Sequence, residues 1–398
     1  MSSEAPTPPG GGLARHRSVA RRVVPITFVV LAVAAIVLTL PIGPASSGRF
    51  DHRYASVPAA GILPFGSSIS AVPASNLLLG VRVTSLALLD EALPFGVVTR
   101  VGNTFTLHQP VLVANGGSLD VSGPGELVLA GGSYIEIGPG GSGHLAGLTI
   151  RGAPSPSARG FLLDVAGTLM LDHDTIESLG RLATLAEGVT FEAAAGRSGV
   201  RDSTITGNTT GVYVTASRGI QIVDDTITHS QLDGVELHGD VTRTVLTGDT
   251  IGQSGVHDVE LSAAVTRALV VHDTFGPAQQ HGVVLYNGAN ENEIASNTIT
   301  GTFDGVLLDY VSRNLVEANV IRGVQRFGIR LTGTSERNVL RGNQLVGCPV
   351  GVYATSGATR NLVVGTAFEG DAENVRLRLS APGNVVVPPP TNSELRSL

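Results

Sequence analysis

The sequence predicts an all-β solenoid, and three observations support this fold class. A phrase of glycine followed by alternating apolar residues returns across residues 188–377, and its successive starts lie 23 or 24 residues apart. Glycine accounts for 51 of the 398 residues, which suits a chain with many tight turns. The segments between turns are short and rich in Val, Ile, Leu and Thr, without a helical period. A fixed spacing of 23 or 24 residues is typical of repeats that bury their apolar strips only against neighbouring repeats.

Each repeat of about 23 residues accommodates three short strands turned by Gly and by Asn or Asp. This pattern predicts a right-handed parallel β-helix whose coils are stacked about 4.8 Å apart. The repeats start at Gly188, Gly211, Gly234, Asp258, Gly282, Gly305, Gly328, Gly351 and Asn374.

A second apolar strip in each repeat contains an acidic or amide residue at one equivalent turn. Such side chains bond the local backbone and tolerate left-handed conformations, so we expect them to stack as a ladder. Asp174 and Asp273 occupy this turn, which favours a structural interpretation of Asp172-His173-Asp174 and His272-Asp273 over a catalytic or metal cluster. The ladder positions are Asp225, Asp249, Asp273, Asn297, Asn319 and Asn343.

The N-terminal residues predict that the β-helix is exported from the cytoplasm. Residues 23–43 begin with 18 uncharged apolar or small residues and follow four arginines, which favours a transmembrane helix with the β-helix outside the cytoplasm. A cleaved signal peptide, and hence a secreted protein, is the alternative. Residues 77–103 are expected to cap the N-terminal end of the β-helix, either as a short helix or as strands. The remaining predicted segments are a basic cytoplasmic N-terminus (1–22), a linker (44–76), the β-helix (104–387) and a disordered tail (388–398).

Composition excludes several classes of function. The net charge is −7 and the folded part has no basic block, so we expect no nucleic-acid partner. The only cysteine, Cys348, excludes internal disulfides and cysteine-based metal sites, and we expect it to fill an apolar gap. No zinc spacing, phosphate loop or calcium-binding repeat occurs, so we expect neither a cofactor nor a metal. We expect a monomer.

The second and fourth residues after each repeat's glycine should point away from the core, because apolar residues occupy the first and third positions. Together they would form a surface with a base, acids, phenols and a guanidinium. It is interpreted either as a polar exposed strand face or as a polysaccharide groove. Its members include Tyr213, Glu236, His238, Glu260, Tyr286, Asp309 and Arg330.

A third column precedes the glycines, where His257 and His281 are one coil apart and positioned to stack. Asp258 replaces a glycine and indicates a local distortion or a capped turn. The column contains Asp233, His257, His281, Asp304 and Phe327.

The region from about Thr104 to Gly370 resembles the periplasmic mannuronan C-5 epimerases and related carbohydrate-binding β-helix proteins, which have a pectin-lyase-like fold. The resemblance includes LVANGGSLDVSGPGELVLAGGSYIEI, FDGVLLDYVSRNLVEAN and RFGIRLTGTSERNVLRGN. That family carries an Asp-Pro-His-Asp motif whose histidine is the catalytic base. The matching register here places His238 on the histidine and Glu236 on the first aspartate. Leu237 replaces the proline and an inserted glycine displaces Asp240.

The resemblance implies a protein that acts on a polysaccharide, as a uronan C-5 epimerase or lyase. It implies His238 as the base, oriented by Glu236 and Asp240, with Tyr286 as a proton donor about 10 Å away by strand spacing. The family's arginine, which neutralises the substrate carboxylate, and its tyrosine have no counterpart at the matching positions. The predicted substrate-binding residues are Glu260, Asp309, Arg330 and Tyr213.

Two alternatives remain open at this point. One is a non-catalytic polysaccharide-binding or scaffold module, which the missing arginine and tyrosine favour. The other is an accessory role in an export or metal-maturation complex. Arg330 is three or four coils from His238, about 15–20 Å by strand spacing, which is too far to serve the same sugar ring.

Overall fold

A computed structural model describes residues 77–155, 159–180, 187–355, 357–378 and 382–387. The predicted N-terminus, membrane segment, linker and tail (1–22, 23–43, 44–76 and 388–398) lie outside the described residues. No helix within the described ranges combines the length and the apolar character needed to cross a membrane.

The chain winds through three sheets of thirteen strands each, and consecutive strands enter the first, second and third sheet in turn. Strand pairs within the sheets are parallel, apart from an antiparallel hairpin between Val98–Val101 and Thr104–Leu107. The predicted fold class is therefore confirmed as an all-β right-handed parallel solenoid.

The strands are grouped here by sheet. The first sheet contains Leu77–Leu79, Val111–Val113, Tyr134–Ile137, Phe161–Val165, Gly188–Glu192, Thr210–Thr215, Val235–His238, Val259–Ser262, His281–Tyr286, Asp304–Asp309, Phe327–Thr332, Val350–Ala354 and Val375–Leu377. The second contains Arg82–Val83, Ser118–Ser122, Ser142–Ala146, Leu169–Asp172, Gly199–Arg201, Gln221–Val223, Val245–Thr247, Leu269–Val271, Glu293–Ala295, Leu315–Glu317, Val339–Arg341, Leu362–Val364 and Val385–Val387. The third contains Val98–Val101, Thr104–Leu107, Glu126–Leu129, Thr149–Gly152, Thr175–Glu177, Thr204–Thr206, Thr226–Thr228, Thr250–Gly252, Thr274–Phe275, Thr298–Thr300, Val320–Arg322, Gln344–Val346 and Ala367–Glu369.

The N-terminal end of the solenoid combines both structures that the sequence left open. A helix spans Leu86–Ala92, and the Ser85 side chain caps it by accepting a hydrogen bond from the Leu88 amide at 3.1 Å. Leu86 and Leu89 are buried, so the helix covers apolar side chains that the first coils would otherwise expose.

The core is a set of apolar stacks that run along the solenoid axis. In the third sheet, Ile227, Ile251, Phe275 and Ile299 lie in register on adjacent strands, and each is fully buried. Burial of one such side chain stabilises the fold by about 1.5–3 kcal/mol. Cys348 is buried in the same core, as expected for a residue that fills apolar space.

The predicted ladder is present. The Asp249 amide donates to Oδ1 of Asp273 at 2.8 Å, and the Asn319 amide donates to Oδ1 of Asn343 at 3.0 Å. The expectation that the ladder residues themselves tolerate a left-handed conformation was wrong. The residue before each ladder position has the positive φ, because the ladder side chain must stay aimed at the preceding coil. These left-handed residues are His173, Asp224, Gly248, His272, Ser296, Ala318 and Gly342.

A second ladder, which the repeat pattern did not predict, lies at the turn between the first and second sheets. In it, the Asn314 amide donates to Oδ1 of Asn338 at 2.9 Å, and the pattern recurs in neighbouring coils. The sequence signal was an asparagine that recurs every 22–24 residues just before the second-sheet strands from Glu293–Ala295 onward. Its members are Asn292, Asn314, Asn338, Asn361 and Asn384.

Candidate active site on the first sheet

The site lies on the outer face of the first sheet, and strand register assembles it as the columns predict. Glu236 pairs with Tyr213 on one side and with Glu260 on the other. His238 pairs with Ser262, which pairs with Tyr286. Residues 23 or 24 apart in sequence therefore become direct neighbours across the sheet.

The expectation of an exposed polar surface was wrong for part of this face. Tyr213 and Glu260 are only 7% and 5% exposed, and the side chains of Glu236 and His238 are 16% and 19% exposed. Large side chains on successive coils cover one another, since the coil spacing leaves no room between stacked rings. The Tyr213 and His238 rings stack with centroids 6.4 Å apart. The result is a half-buried cluster of polar groups.

A hydrogen bond joins His238 to the neighbouring coil. His238 Nδ1 and Ser262 Oγ are 2.9 Å apart, and Ser262 lies two residues after Glu260 on the same strand. When the Ser262 oxygen accepts from Nδ1–H, the lone pair of His238 is on Nε2. Burial lowers the pKa of His238, so the imidazole is neutral and able to accept a proton.

Tyr286 joins the cluster from the next coil. It pairs with Ser262 across the sheet, and its phenol is close enough to Glu260 to interact with it electrostatically. Burial and the nearby Glu260 carboxylate raise the pKa of Tyr286, which keeps the phenol protonated as a donor. Strand spacing alone could not predict this contact, because it depends on side-chain direction.

Three carboxyl groups share the cluster. Burial and repulsion by Glu260 raise the pKa of Asp233 and of Glu236 well above the ordinary range. Burial also raises the pKa of Glu260, while the nearby hydroxyl groups of Tyr286 and Ser262 oppose the rise. Glu236 is therefore the member best suited to hold a proton, and Glu260 the one best suited to remain ionised.

The neighbouring column stacks His257 on His281, as the sequence predicted, with centroids 4.9 Å apart and planes 7° apart. The His257 amide donates to Oδ1 of Asp233 at 2.8 Å. At the position where an aspartate replaces the repeat's glycine, the buried Asp258 accepts from Ser254 Oγ at 2.9 Å. This turn is capped by a side chain.

The predicted guanidinium lies elsewhere. Arg330 approaches Oδ2 of the buried Asp304 at 3.5 Å, and Arg326 binds the same carboxylate through two nitrogens at 2.9 and 2.6 Å. Asp309 accepts from Thr332 Oγ1 at 2.6 Å. These groups form a neighbouring cluster toward the C-terminus, which adjoins the histidine stack where His281 Nδ1 approaches Asp304 Oδ2 at 3.6 Å.

The outcome differs among the predicted site residues. The structure brings Tyr213, Glu236, His238, Glu260 and Tyr286 together, and it leaves Asp309 and Arg330 in the other cluster. Asp240 lies at an exposed left-handed turn with φ of 50°, and Ser262 contacts His238 Nδ1 instead. Sequence reasoning missed Ser262, although its column position one coil after His238 was a usable signal.

The sequence predicted no metal site, yet the fold gathers ligand atoms that sequence spacing does not reveal. Three groups of described side chains each place histidine and carboxylate atoms within 4.8 Å of one another. The groups are Asp172-His173-Asp202, Asp233-His257-Glu260 and Glu236-His238-Glu260.

Comparison with known proteins identifies the architecture. The family model described as "Right handed beta helix region" matches residues 187–368. The crystal structure of the periplasmic alginate epimerase AlgG is similar, with a TM-score of 0.69 and 17% identity over 77% of this chain and 82% of that one. The A-module of the Azotobacter vinelandii mannuronan C-5 epimerase AlgE4 has a TM-score of 0.52 and 13% identity over 70% of this chain and 88% of that one. No curated protein matches the chain in sequence.

At these identities the structural likenesses establish the fold alone. They confirm the resemblance that the repeat phrases indicated. The chain is a right-handed parallel β-helix protein that shares the fold of the mannuronan C-5 epimerases.

Proposed function

We propose that this protein acts on an extended polysaccharide bound along the first sheet, as a uronan C-5 epimerase or lyase in which His238 abstracts the proton next to the sugar carboxylate. The observation that carries the proposal is the half-buried His238 ring, whose Nδ1 lies 2.9 Å from Ser262 Oγ and whose pKa burial lowers, so that the imidazole is neutral. A general base of this reaction needs that state.

The developing negative charge on the substrate also needs a partner. In this cluster a protonated Glu236 can donate a hydrogen bond to the sugar carboxylate, which is the role that an arginine has in the family. Burial and the neighbouring carboxylates raise the pKa of Glu236 and so favour its protonated form. Tyr286 is the proposed proton donor, and Tyr213 is proposed to contact the sugar.

The test uses mannuronan and other uronans in D₂O with the full chain. Proton abstraction at C-5 predicts deuterium incorporation into the polymer, detected by NMR, whether epimerisation or elimination follows. His238→Gln should abolish the exchange. Ser262→Ala should lower its rate at least tenfold and displace its pH profile, since the imidazole loses the contact that fixes its tautomer. Retention of exchange in His238→Gln would refute the assignment.

A second candidate function is polysaccharide binding without turnover. It is favoured by one observation: Arg330, the arginine that the sequence placed on this face, approaches Asp304, a carboxylate that Arg326 also binds. Binding of a uronan without any C-5 exchange, in wild-type protein as in His238→Gln, would support this candidate and count against catalysis.

We further propose that the β-helix works outside the cytoplasm and that residues 23–43 hold it at the membrane. The uncharged run and the preceding arginines support this placement. Fractionation of cells that produce the full chain tests it. Recovery of the protein from the membrane fraction at its full mass is expected, and a shortened soluble form would favour a cleaved signal peptide.

A further inference from the structure

A second concave surface lies on the outer face of the second sheet, toward the N-terminal end of the solenoid. It is an open cleft of about 530 Å³. Its floor is formed by the strands Ser118–Ser122, Ser142–Ala146 and Leu169–Asp172, which pair in parallel. A volume of this size is typical of sites that bind small ligands.

His144 lies on the middle strand of this floor, between two carboxylates. Its Nδ1 is 3.4 Å from Oδ1 of Asp120, and its Nε2 is 3.7 Å from Oδ2 of Asp172. Arg201 binds the same oxygen of Asp172 at 2.6 Å and lowers the pKa of this carboxyl group to about 2. The imidazole is therefore held between fixed groups, while 43% of its side chain remains exposed to a ligand.

An arginine lies at each end of the cleft. Arg82 is on the strand that pairs with Ser118–Ser122. At the other end, Arg197 lies two residues before the strand Gly199–Arg201. Four coil steps separate the two strands, which corresponds to about 19 Å along the solenoid axis. An elongated ligand can therefore contact both arginines.

Both arginines are accessible. Arg82 approaches Oδ2 of Asp120 at 3.1 Å, but 71% of its side chain is exposed, and exposed ion pairs contribute little to stability. Arg197 is exposed, and no carboxylate of the described residues pairs with its guanidinium. The fold therefore gains little from these two charges, which remain available to a ligand.

The charge of the lining favours an acidic ligand. Arg82 and Arg197 bring two positive charges against the one negative charge of Asp120, whereas the whole chain has a net charge of −7. Guanidinium groups bind carboxylates through paired N–H donors. The cleft is therefore a local positive region on an acidic protein.

The floor between the arginines suits the rest of a sugar. Ser118, Ser142 and Thr168 contribute hydroxyl side chains, which donate and accept hydrogen bonds. The carboxylate of Asp120 accepts hydrogen bonds from sugar hydroxyl groups. The half-buried Met170 adds an apolar surface against which the C–H face of a ring can pack.

We propose that this cleft is a second binding site, which takes an acidic oligosaccharide with one uronate carboxylate at Arg82, another at Arg197, and the intervening hydroxyl groups at Asp120 and His144. The inference does not depend on the proposed function, because the cleft lies on another sheet and its occupancy is measured without turnover.

The chain offers a probe inside the cleft. It contains two methionines, Met1 and Met170, so ¹³C-methyl labelling of methionine gives a simple NMR spectrum in which Met170→Leu identifies the signal from the cleft. Addition of a mannuronate or a galacturonate tetramer to the full chain should shift this signal until it saturates. Neutral cellotetraose should bind at least tenfold more weakly, because it has no carboxylate for the arginines.

Variants then assign the binding groups. Arg82→Gln and Arg197→Gln should each raise the Kd of the acidic tetramer at least fivefold. Arg243→Gln is the matched control, since Arg243 is exposed at the same position of the repeat two coils further along, and it should leave the Kd unchanged. All three arginines are exposed, so the variants should keep their β structure, which circular dichroism checks.

Several results would overturn the proposal. One is a Met170 signal that neither acidic tetramer shifts. Equal affinity for cellotetraose would contradict the role of the arginines, and equal affinity for monomeric mannuronate would reduce the cleft to a site for a single anion. A shift that His238→Gln removes would show that the signal reports binding on the first sheet. Failure of C-5 exchange, with the Met170 titration intact, would count only against the proposed function.

Discussion

Replacing Asp249 with asparagine should stabilise the solenoid, and the gain should grow as the pH rises. Oδ1 of Asp249 accepts from the Asp225 amide at 2.8 Å, but its buried Oδ2 has no hydrogen-bond partner in the described structure. Burial raises the pKa of Asp249 from 3.8 to about 9. An amide keeps the Oδ1 contact and places a donor where Oδ2 now lies.

The magnitude follows from two contributions. In later coils the ladder amide donates to a strand carbonyl, as Asn297 does to Val270 at 2.8 Å, and one such bond contributes about 1 kcal/mol. The second contribution comes from titration. Because the pKa of Asp249 is raised in the folded state, its contribution to the unfolding free energy is fully present below the unfolded pKa near 3.8. This contribution is lost as the pH rises toward 9. Between pH 5 and pH 7 this loss is about 2.7 kcal/mol for one carboxyl group, and the asparagine variant does not have it.

The assay is urea unfolding of wild type and Asp249→Asn at pH 5 and pH 7, followed by circular dichroism. The control is Asp90→Asn, the same chemical change on the N-terminal helix outside the ladder, which should not reproduce the gain. A variant whose unfolding free energy falls with pH as steeply as that of wild type would refute the reasoning.

Three further changes probe other parts of the fold. Asn319→Ala should lower the unfolding free energy by about 3 kcal/mol in urea titration, because it leaves the Ile294 carbonyl and a buried amide without partners. Gly234→Ala should reduce the melting temperature and cost at least about 2 kcal/mol, since the added Cβ would lie 2.2 Å from a methyl group of Ile251. His281→Gln should remove a loss of stability in acid. Burial lowers the pKa of His281 to about 3, so wild type loses stability as the pH falls from 6.5 toward 3, by about 1.4 kcal/mol per unit for this group, and the variant does not.

The solenoid could be predicted from the sequence because the length of the repeat fixes which residues pair on neighbouring strands. Once Glu236 and Glu260 are known to be one coil apart, their pairing follows from parallel stacking, and so does the stack of His257 on His281. The Asp and Asn ladder follows for the same reason.

The direction and the burial of side chains cannot be predicted from the repeat period. The contact of Tyr286 with Glu260 and the burial of Tyr213 depend on rotamers and on neighbours from adjacent coils. The role of Ser262 could not be predicted, because a serine on a strand face carries no signal until its hydroxyl is found 2.9 Å from an imidazole nitrogen. The left-handed residue beside each ladder position depends on backbone geometry that composition does not reveal.

The first ladder changes from aspartate to asparagine between Asp273 and Asn297. Burial raises the pKa of Asp225 and Asp273 to about 7, whereas the asparagines do not titrate. The second ladder, which begins at Asn292, reinforces the C-terminal coils with further amides. A solenoid is held by contacts between neighbouring repeats, so its coils can open separately. In mild alkali, amide hydrogen exchange should therefore accelerate first in the aspartate coils, and the asparagine coils should remain protected.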